Sequence, residues 1–226
     1  MQKRWLQTKQ KILSTCVRLF LTQGYTNTSI SQIIKEAHVS RGSLQNLFHT
    51  KDAILMELVQ AMFTKQFNAA KTLTKNVVSP IYTYALETAI QLTLTELNEN
   101  LREIYIISYT IPSISEYIFL QTTEELYTIF GSNFDACTKK DFYQYDIGTS
   151  GMMRNYMAKK CDIHFSLEEK IQIFLKASLR VYRVNEKEIN DVIDFIQNLD
   201  LIQISNDIIH KMFTMLEMQF DFKLSK

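Results

Sequence analysis

Five glycines and two prolines in 226 residues are the feature that most restricts what this chain can fold into. Hairpins, bulges and tight turns draw on glycine and proline, whereas helix interiors are penalised by both, by about 1 and 3 kcal/mol respectively. A chain this poor in turn formers is expected to be all-α. Its 46% hydrophobic content is enough for a packed core, and its length suits one large or two small domains.

Hydrophobic spacing supplies the helices. Ile12, Leu13, Cys16, Val17 and Phe20 share one face, and Gly24 stands where a left-handed residue stops a helix. Arg18 and several polar residues interrupt this apolar run, so it reads as a helix rather than a secretion signal. Ser29 with Gln32 fits a capping box before a short second helix carrying Ile30, Ile33, Ile34 and Ala37. Ser40 caps a third, Arg41 to Phe48. Thr50 caps a fourth that runs to about residue 74 on a stripe of Ile54, Leu55, Leu58, Val59, Met62 and Leu73. Further on, Ser79 and Pro80 predict a cap followed by proline at the first helical position, opening a helix to about Asn98. Pro112 interrupts the next apolar run, and Ser113 with Glu116 predicts a capping box for a helix into the 130s. Asp141 to Lys160 reads as a helix in which Gly148 and Gly151 would let a neighbour approach. Ser166 with Glu169 and Asn185 with Glu188 open the last segments, the final one running from about 186 to 222 with a break near Ser205.

The net charge of +1 conceals an asymmetry. Residues 1–75 hold 11 Lys and Arg against 3 Asp and Glu, or 11 − 3 = +8, leaving 14 − 21 = −7 for the remainder. A basic first third on an acidic body suggests a module that meets a polyanion, although a solvated basic helix face would give the same count. No run approaches the roughly 20 apolar residues of a membrane span. Cys16, Cys137 and Cys161 are odd in number and lack metal-ligand spacing, as in a reduced, cytoplasmic protein.

On a wheel of about 100° per residue, Leu44, Leu47 and Phe48 share one side of the third helix. Gly42 and Asn46 centre the other, flanked by Ser43 and Gln45. An exposed helical glycine costs about 1 kcal/mol relative to alanine, so something should compensate for it. Without a Cβ another backbone can come close, amides can pair with adenine edges, and Arg41 can pair with guanine. The second helix, the turn at His38 and Val39, and the third helix have the lengths of a helix-turn-helix.

Phe20, Gly24-Tyr25, Thr28-Ser29-Ile30, Ile33, Ala37, Val39-Ser40, Gly42-Ser43-Leu44, Phe48 and Lys51-Asp52 resemble the N-terminal signature of TetR-family transcriptional regulators, over about residues 8 to 58. Three positions depart from it. His38 stands where the family commonly has glycine, Gln45 where it usually has a phosphate-touching tyrosine, and Leu47 where a second aromatic is common. The resemblance implies that Thr28, Ser29 and Lys51 hold the DNA backbone; Gly42 is the candidate for close approach, and His38, a turn residue, and His49 could each touch a phosphate if partly exposed. Arg41, Ser43, Gln45 and Asn46 are the candidates for base edges.

The rival classes lack their chemistry. There is no HExxH, no glutamate has a histidine three residues on, and the five scattered glycines build no nucleotide-binding loop. The expectation is therefore no enzyme, no metal and no cofactor. A helical adaptor for a protein partner is the alternative, and the basic N-terminus and the amide face weigh against it. The reading is an all-α chain with a DNA-binding helix-turn-helix domain over 1–50 and a helical regulatory and dimerisation domain over 51–226, whose first helix, 51–74, connects the two. The resemblance implies a homodimer, usually a repressor, on a pseudo-palindromic double-stranded operator, released by a small molecule. The late apolar residues from Ile189 to Leu216 exceed what one face needs and are the candidates for the dimer contact. Tyr105, Tyr109, Phe119, Tyr127, Phe130, Met152, Met153, Tyr156 and Met157 are the candidates for a pocket taking a hydrophobic or amphipathic effector, although such stripes are usually core.

Overall fold

The computed structural model describes residues 2–76 and 79–216, and every regular element among them is helical. Helix α1 (Gln2–Gln23) buries Ile12, Cys16 and Phe20 and ends at Gly24, whose φ of +88° is the left-handed stop expected there. Ser29 caps α2 (Ile30–Glu36) by accepting the Gln32 amide, but the box is not closed: the Gln32 side chain turns to Gln23 and Glu36 instead. Ser40 caps α3 (Arg41–Leu47) through the Ser43 amide, and Thr50 caps α4 (Lys51–Leu73) through the Ala53 amide. Leu44 and Phe48 of α3 and Ile33 of α2 are buried in the core that α1 and the first turns of α4 complete. Leu73, expected on the buried stripe of α4, is exposed; Gln66, Phe67 and Ala70 carry the buried face there.

Helix α5 (Ile81–Leu97) is the axis of the body, buried over nearly its whole length. It packs against α4, α6 (Glu99–Ser108), α7 (Pro112–Phe130), α8 (Lys139–Ala158), α9 (Leu167–Val181), α10 (Glu186–Gln197) and α11 (Leu201–Met215). Its N-cap is Pro80, one position later than the expected Ser79, and the Ser79 hydroxyl donates to Glu188. Helix α7 starts at Pro112 itself, because proline fixes φ and has no N–H to leave unsatisfied in a first turn. Ser113 therefore lies inside the helix, and Glu116 accepts from Tyr143 rather than closing a box. A capping box the spacing did not suggest, Thr138 with Asp141, opens α8 two residues early, while the one at Ser166 and Glu169 is closed as expected. Asn185 caps α10.

The final segment breaks at 198–200, not near Ser205, because Asp200 caps a new helix through the Gln203 amide. Its predicted extension over 217–222 lies outside the described residues. Ile189, Ile193, Ile196, Ile208, Ile209, Met212, Phe213 and Leu216 are buried within the single chain; α10 and α11 spend their apolar surface wrapping α5. A Cβ built at Gly148 or Gly151 would meet nothing within 4 Å, so no helix among the described residues uses the close approach they offer. No helix among the described residues is long and apolar enough to cross a membrane.

Candidate nucleic-acid interface

The turn between α2 and α3 is held by backbone bonds from Ala37 to Ile33 and from Val39 to Ile34, with His38 in the left-handed region at φ +52°. This aims α3 outward. Arg41, Gly42, Gln45 and Asn46 are exposed along one side, with Leu44 buried on the other, as the wheel predicted. A Cβ on Gly42 would meet only the Ser40 hydroxyl, at 3.9 Å, so nothing inside the chain requires a glycine there. Ser43 is half-buried and its hydroxyl bonds that of Ser40 at 2.8 Å, which leaves it less free to reach a base than expected. Ser29 and His49 are exposed.

Two residues expected at the DNA backbone are placed differently. Thr28 is buried: its hydroxyl donates to Gly24 O at 2.7 Å and its amide to Tyr25 O at 3.1 Å, so neither group points at a ligand. Lys51 turns inward, donating to Tyr25 O at 2.8 Å and Thr28 O at 2.9 Å while sitting over the Tyr25 ring. Burial holds its ammonium below the usual lysine range, against the opposing pull of Asp52 and Glu103. Both residues brace the loop that enters α2.

That loop has a partner that sequence spacing did not reveal. Glu103 of α6 accepts the Tyr25 amide at 2.7 Å and the Thr26 amide at 3.1 Å, and Asn100 donates to Leu21 O at 2.8 Å. The body thus grips the end of α1 directly. The only local signal was Gly24 itself, since a Cβ there would run into the Glu103 carboxylate.

The pocket candidates do not form one site. Tyr105 and Tyr109 line a cavity of about 30 Å³ together with Val59, Met62, Phe63 and Gln66 of α4. Tyr109 and Met153 line a second, of about 40 Å³, with Glu87, Gln91 and Asp146. The other candidates lie elsewhere. Phe130 is core, stacked on Tyr182; Met157 is fully buried; Tyr127 is exposed; Phe119 packs edge-on to Tyr143, and Tyr156 edge-on to Phe174. Met152 is only partly buried and lines neither cavity. What the stripe of aromatics did not show is the acidity of the second cavity. Glu87 and Asp146 are both nearly inaccessible, and burial pushes each carboxyl up to about 7, helped for Glu87 by its acidic neighbour Asp146.

Residues 12–58 match the family model of bacterial regulatory proteins, tetR family. The uncharacterized HTH-type transcriptional regulator YuxN of Bacillus subtilis (strain 168) is 26% identical over 198 residues, 83% of this chain and 61% of its own length. The HTH-type transcriptional regulator LmrA of the same organism is 43% identical over 56 residues, 24% of this chain and 30% of its own length. The chain spans less than two thirds of the length of the curated relatives it matches. Among solved structures, RolR in complex with resorcinol shares the fold, with a TM-score of 0.67 at 16% identity, covering 85% of this chain and 96% of that one. The N-terminal helix-turn-helix is thus similar to that of bacterial regulatory proteins of the tetR family, and the chain as a whole shares its fold with RolR.

Proposed function

We propose that the chain represses transcription as a homodimer on a pseudo-palindromic operator and leaves it when a small molecule enters the body. Residues 1–50 are the DNA-binding unit and 51–226 the regulatory and dimerisation unit. The observation that carries the reading is the outer face of α3, where Gly42, Gln45 and Asn46 are exposed and Gly42 has no structural use inside the chain. Arg41, Gln45 and Asn46 read base edges, and the Ser29 cap and His49 meet phosphates. Thr28 and Lys51 act by bracing the α1–α2 loop.

Two recognition helices read such an operator when a two-fold axis sets them about 34–36 Å apart. With α10 and α11 committed to the core, α8 and α9 support the dimer contact best: Ile147, Ile173 and Val181 are exposed there, beside the bare Gly148 and Gly151. Effector coupling has two supports. Helix α4 lines the first cavity, and α6 both lines it and grips the α1–α2 loop through Glu103 and Asn100. RolR, whose fold this chain shares, was crystallised with a small phenol. A ligand that favours the spread form of these helices shifts the dimer away from DNA, whereas equal affinity for both forms shifts nothing.

The test is recovery of bound fragments from genomic DNA, followed by a gel shift on a recovered site at rising salt and a mass measurement of the complex. A steep salt dependence and two protomers per site are expected. A strictly monomeric protein, or no fragment enriched, would turn the reading towards a protein-binding adaptor.

A further inference from the structure

The second cavity is lined almost entirely by groups that accept hydrogen bonds or present ring faces. Glu87 and Gln91 face it from α5 and Asp146 from α8. Asp146 Oδ1 accepts from Ser150 at 3.0 Å and Thr149 at 3.4 Å, but its Oδ2 is buried with no partner among the described residues. Gln91 spends its amide N–H on Glu87, and its Oε1 is likewise buried and unpartnered. No lysine, arginine or histidine is among the residues lining either cavity. A buried acceptor left unmatched costs on the order of 1–3 kcal/mol, and a buried charge without a partner costs more.

What such a wall lacks is a donor carrying positive charge. Tyr84, Tyr109, Phe67 and Phe174 line the cavity with the acids, and an aromatic ring attracts a cation at its face. Gln91 and Tyr109 also line the first cavity, whose remaining wall is mostly apolar, with Val59, Met62, Phe63 and Ile118 beside the polar Gln66 and Ser108. The two cavities therefore share a wall, and a ligand that parts Gln91 from Tyr109 joins them into one track, acidic at the α8 end and greasy at the α4 end. Resting on the effector reading above, we propose that the effector is an amphipathic organic ammonium. Its charged nitrogen donates to Asp146 and Gln91 beside Glu87, and its apolar body lies along α4.

The size of the track gives the ligand its leverage. At about 30 and 40 Å³ the cavities hold only a few water-sized bodies, so an arylalkyl ammonium enters by displacing the flexible Met62 and Met153 and pushing α4 and α6 outward. Both helices run to the DNA-binding unit.

Thermal shift and calorimetric titration of the full chain with butyl-, hexyl-, octyl- and phenethylammonium, phenethyl alcohol and hydrocinnamate test the assignment without DNA. Saturable binding of at least one ammonium is expected, with the alcohol about tenfold or more weaker and the carboxylate silent. Asp146→Asn and Glu87→Gln should each cost the ammonium about tenfold or more; because both mimic the protonated acid they should fold, which retained affinity for recovered genomic sites would confirm. Absence of any saturable ammonium binding, or equal binding of ammonium and alcohol to wild type and variants, overturns the proposal. A gel shift separates it from the broader reading. Ammonium that binds but leaves DNA bound supports the site and refutes effector release through it. DNA released by the alcohol or the carboxylate, but not by an ammonium, refutes the ammonium and leaves the regulator intact.

Discussion

In the first three helices polar side chains either face water or close a short local bond. Ser29, Ser40 and Thr50 each accept one amide at a helix start, Arg18 pairs with Glu36, and Gln45 and Asn46 stand free in solvent. In α5 the same kinds of side chain are turned inward. Thr93 and Thr95 bond their own helix and Thr83 bonds Thr74, but Glu87 and Gln91 reach only each other, beside an Asp146 that is half satisfied. The first arrangement leaves a polar outer face, the one proposed to meet DNA, at little cost to stability. The second gives up stability inside the core, which is what a site that needs an occupant does.

The largest expected effect breaks this contrast at its acidic end. A carboxyl whose folded pKa is raised to about 7 binds its proton more tightly folded than unfolded. Its contribution is then fully present below the unfolded value, about 4, and is lost as pH rises through about 7. For each of Glu87 and Asp146 the loss is on the order of 3–4 kcal/mol. Other acids bend the wild-type curve the opposite way at low pH: Glu36, Glu96 and Asp162 are held below their usual values, with hydrogen bonds to Arg18, Lys170 and Lys159 respectively. The informative quantity is therefore the difference between variant and wild type. In urea titrations between about pH 4.5 and 8, Asp146→Asn should gain on wild type as pH rises. Parallel curves would mean that the buried acids are paired in a way the contrast denies.

Next in size is the grip between body and reading unit. Gly24→Ala places a side chain at φ +88° and against Glu103, and should cost about 2–3 kcal/mol of stability. Glu103→Ala should cost less, and the double variant less than the sum, because the clash and the clamp share one carboxylate. Additive losses would show that α6 and the loop are independent.

Much of the reading unit was legible because its signals are local: a stop at Gly24, caps at Ser29, Ser40 and Thr50, and a face of Gly42, Gln45 and Asn46 within one short helix. Lys51 was misplaced for the same reason. The residue type suits phosphate, and only the fold shows two loop carbonyls already holding it. In the body, helix existence was readable but the partners of α5 were not. Spacing can locate Glu87 and Asp146 on helices 59 positions apart without saying that they share a cavity. Aromatic stripes likewise failed to separate the lining residues Tyr105 and Tyr109 from core residues such as Phe130 and Met157.

A third effect sharpens the contrast by separating reading from folding. Asn46→Ala and Gln45→Ala should each weaken a specific site by roughly 1–3 kcal/mol and relax preference at particular bases, with stability changed by less than about 0.5 kcal/mol. Gly42→Ala should raise stability by up to about 1 kcal/mol, since its Cβ would make only an ordinary contact with the Ser40 hydroxyl, while weakening DNA binding. Lys51→Met should weaken all DNA sequences alike, in step with a loss of stability that the amide variants do not share. Gel-shift affinities set beside thermal melts give both coordinates, and a Gly42→Ala protein that binds DNA as well as wild type would remove the reason for the glycine.

The smallest effect lies in the turn itself. His38 occupies the left-handed region at φ +52°, a conformation that costs an L-residue with a Cβ about 1–2 kcal/mol and glycine almost nothing. Glycine also loses more chain freedom on folding, by roughly 0.5–1 kcal/mol, so His38→Gly should stabilise by only about 0.5–1 kcal/mol. The family resemblance places glycine at this position, so a histidine that keeps the strain needs a reason. It is exposed, lining a surface cleft with Gln7, Thr8, Lys11 and Ser43 next to the start of α3. If His38→Gly stabilises the fold and weakens DNA binding, the imidazole is a phosphate contact retained against strain. If stability rises and affinity is unchanged, His38 belongs with the caps as a purely local element, and the reading surface narrows to Ser29, His49 and the outer face of α3.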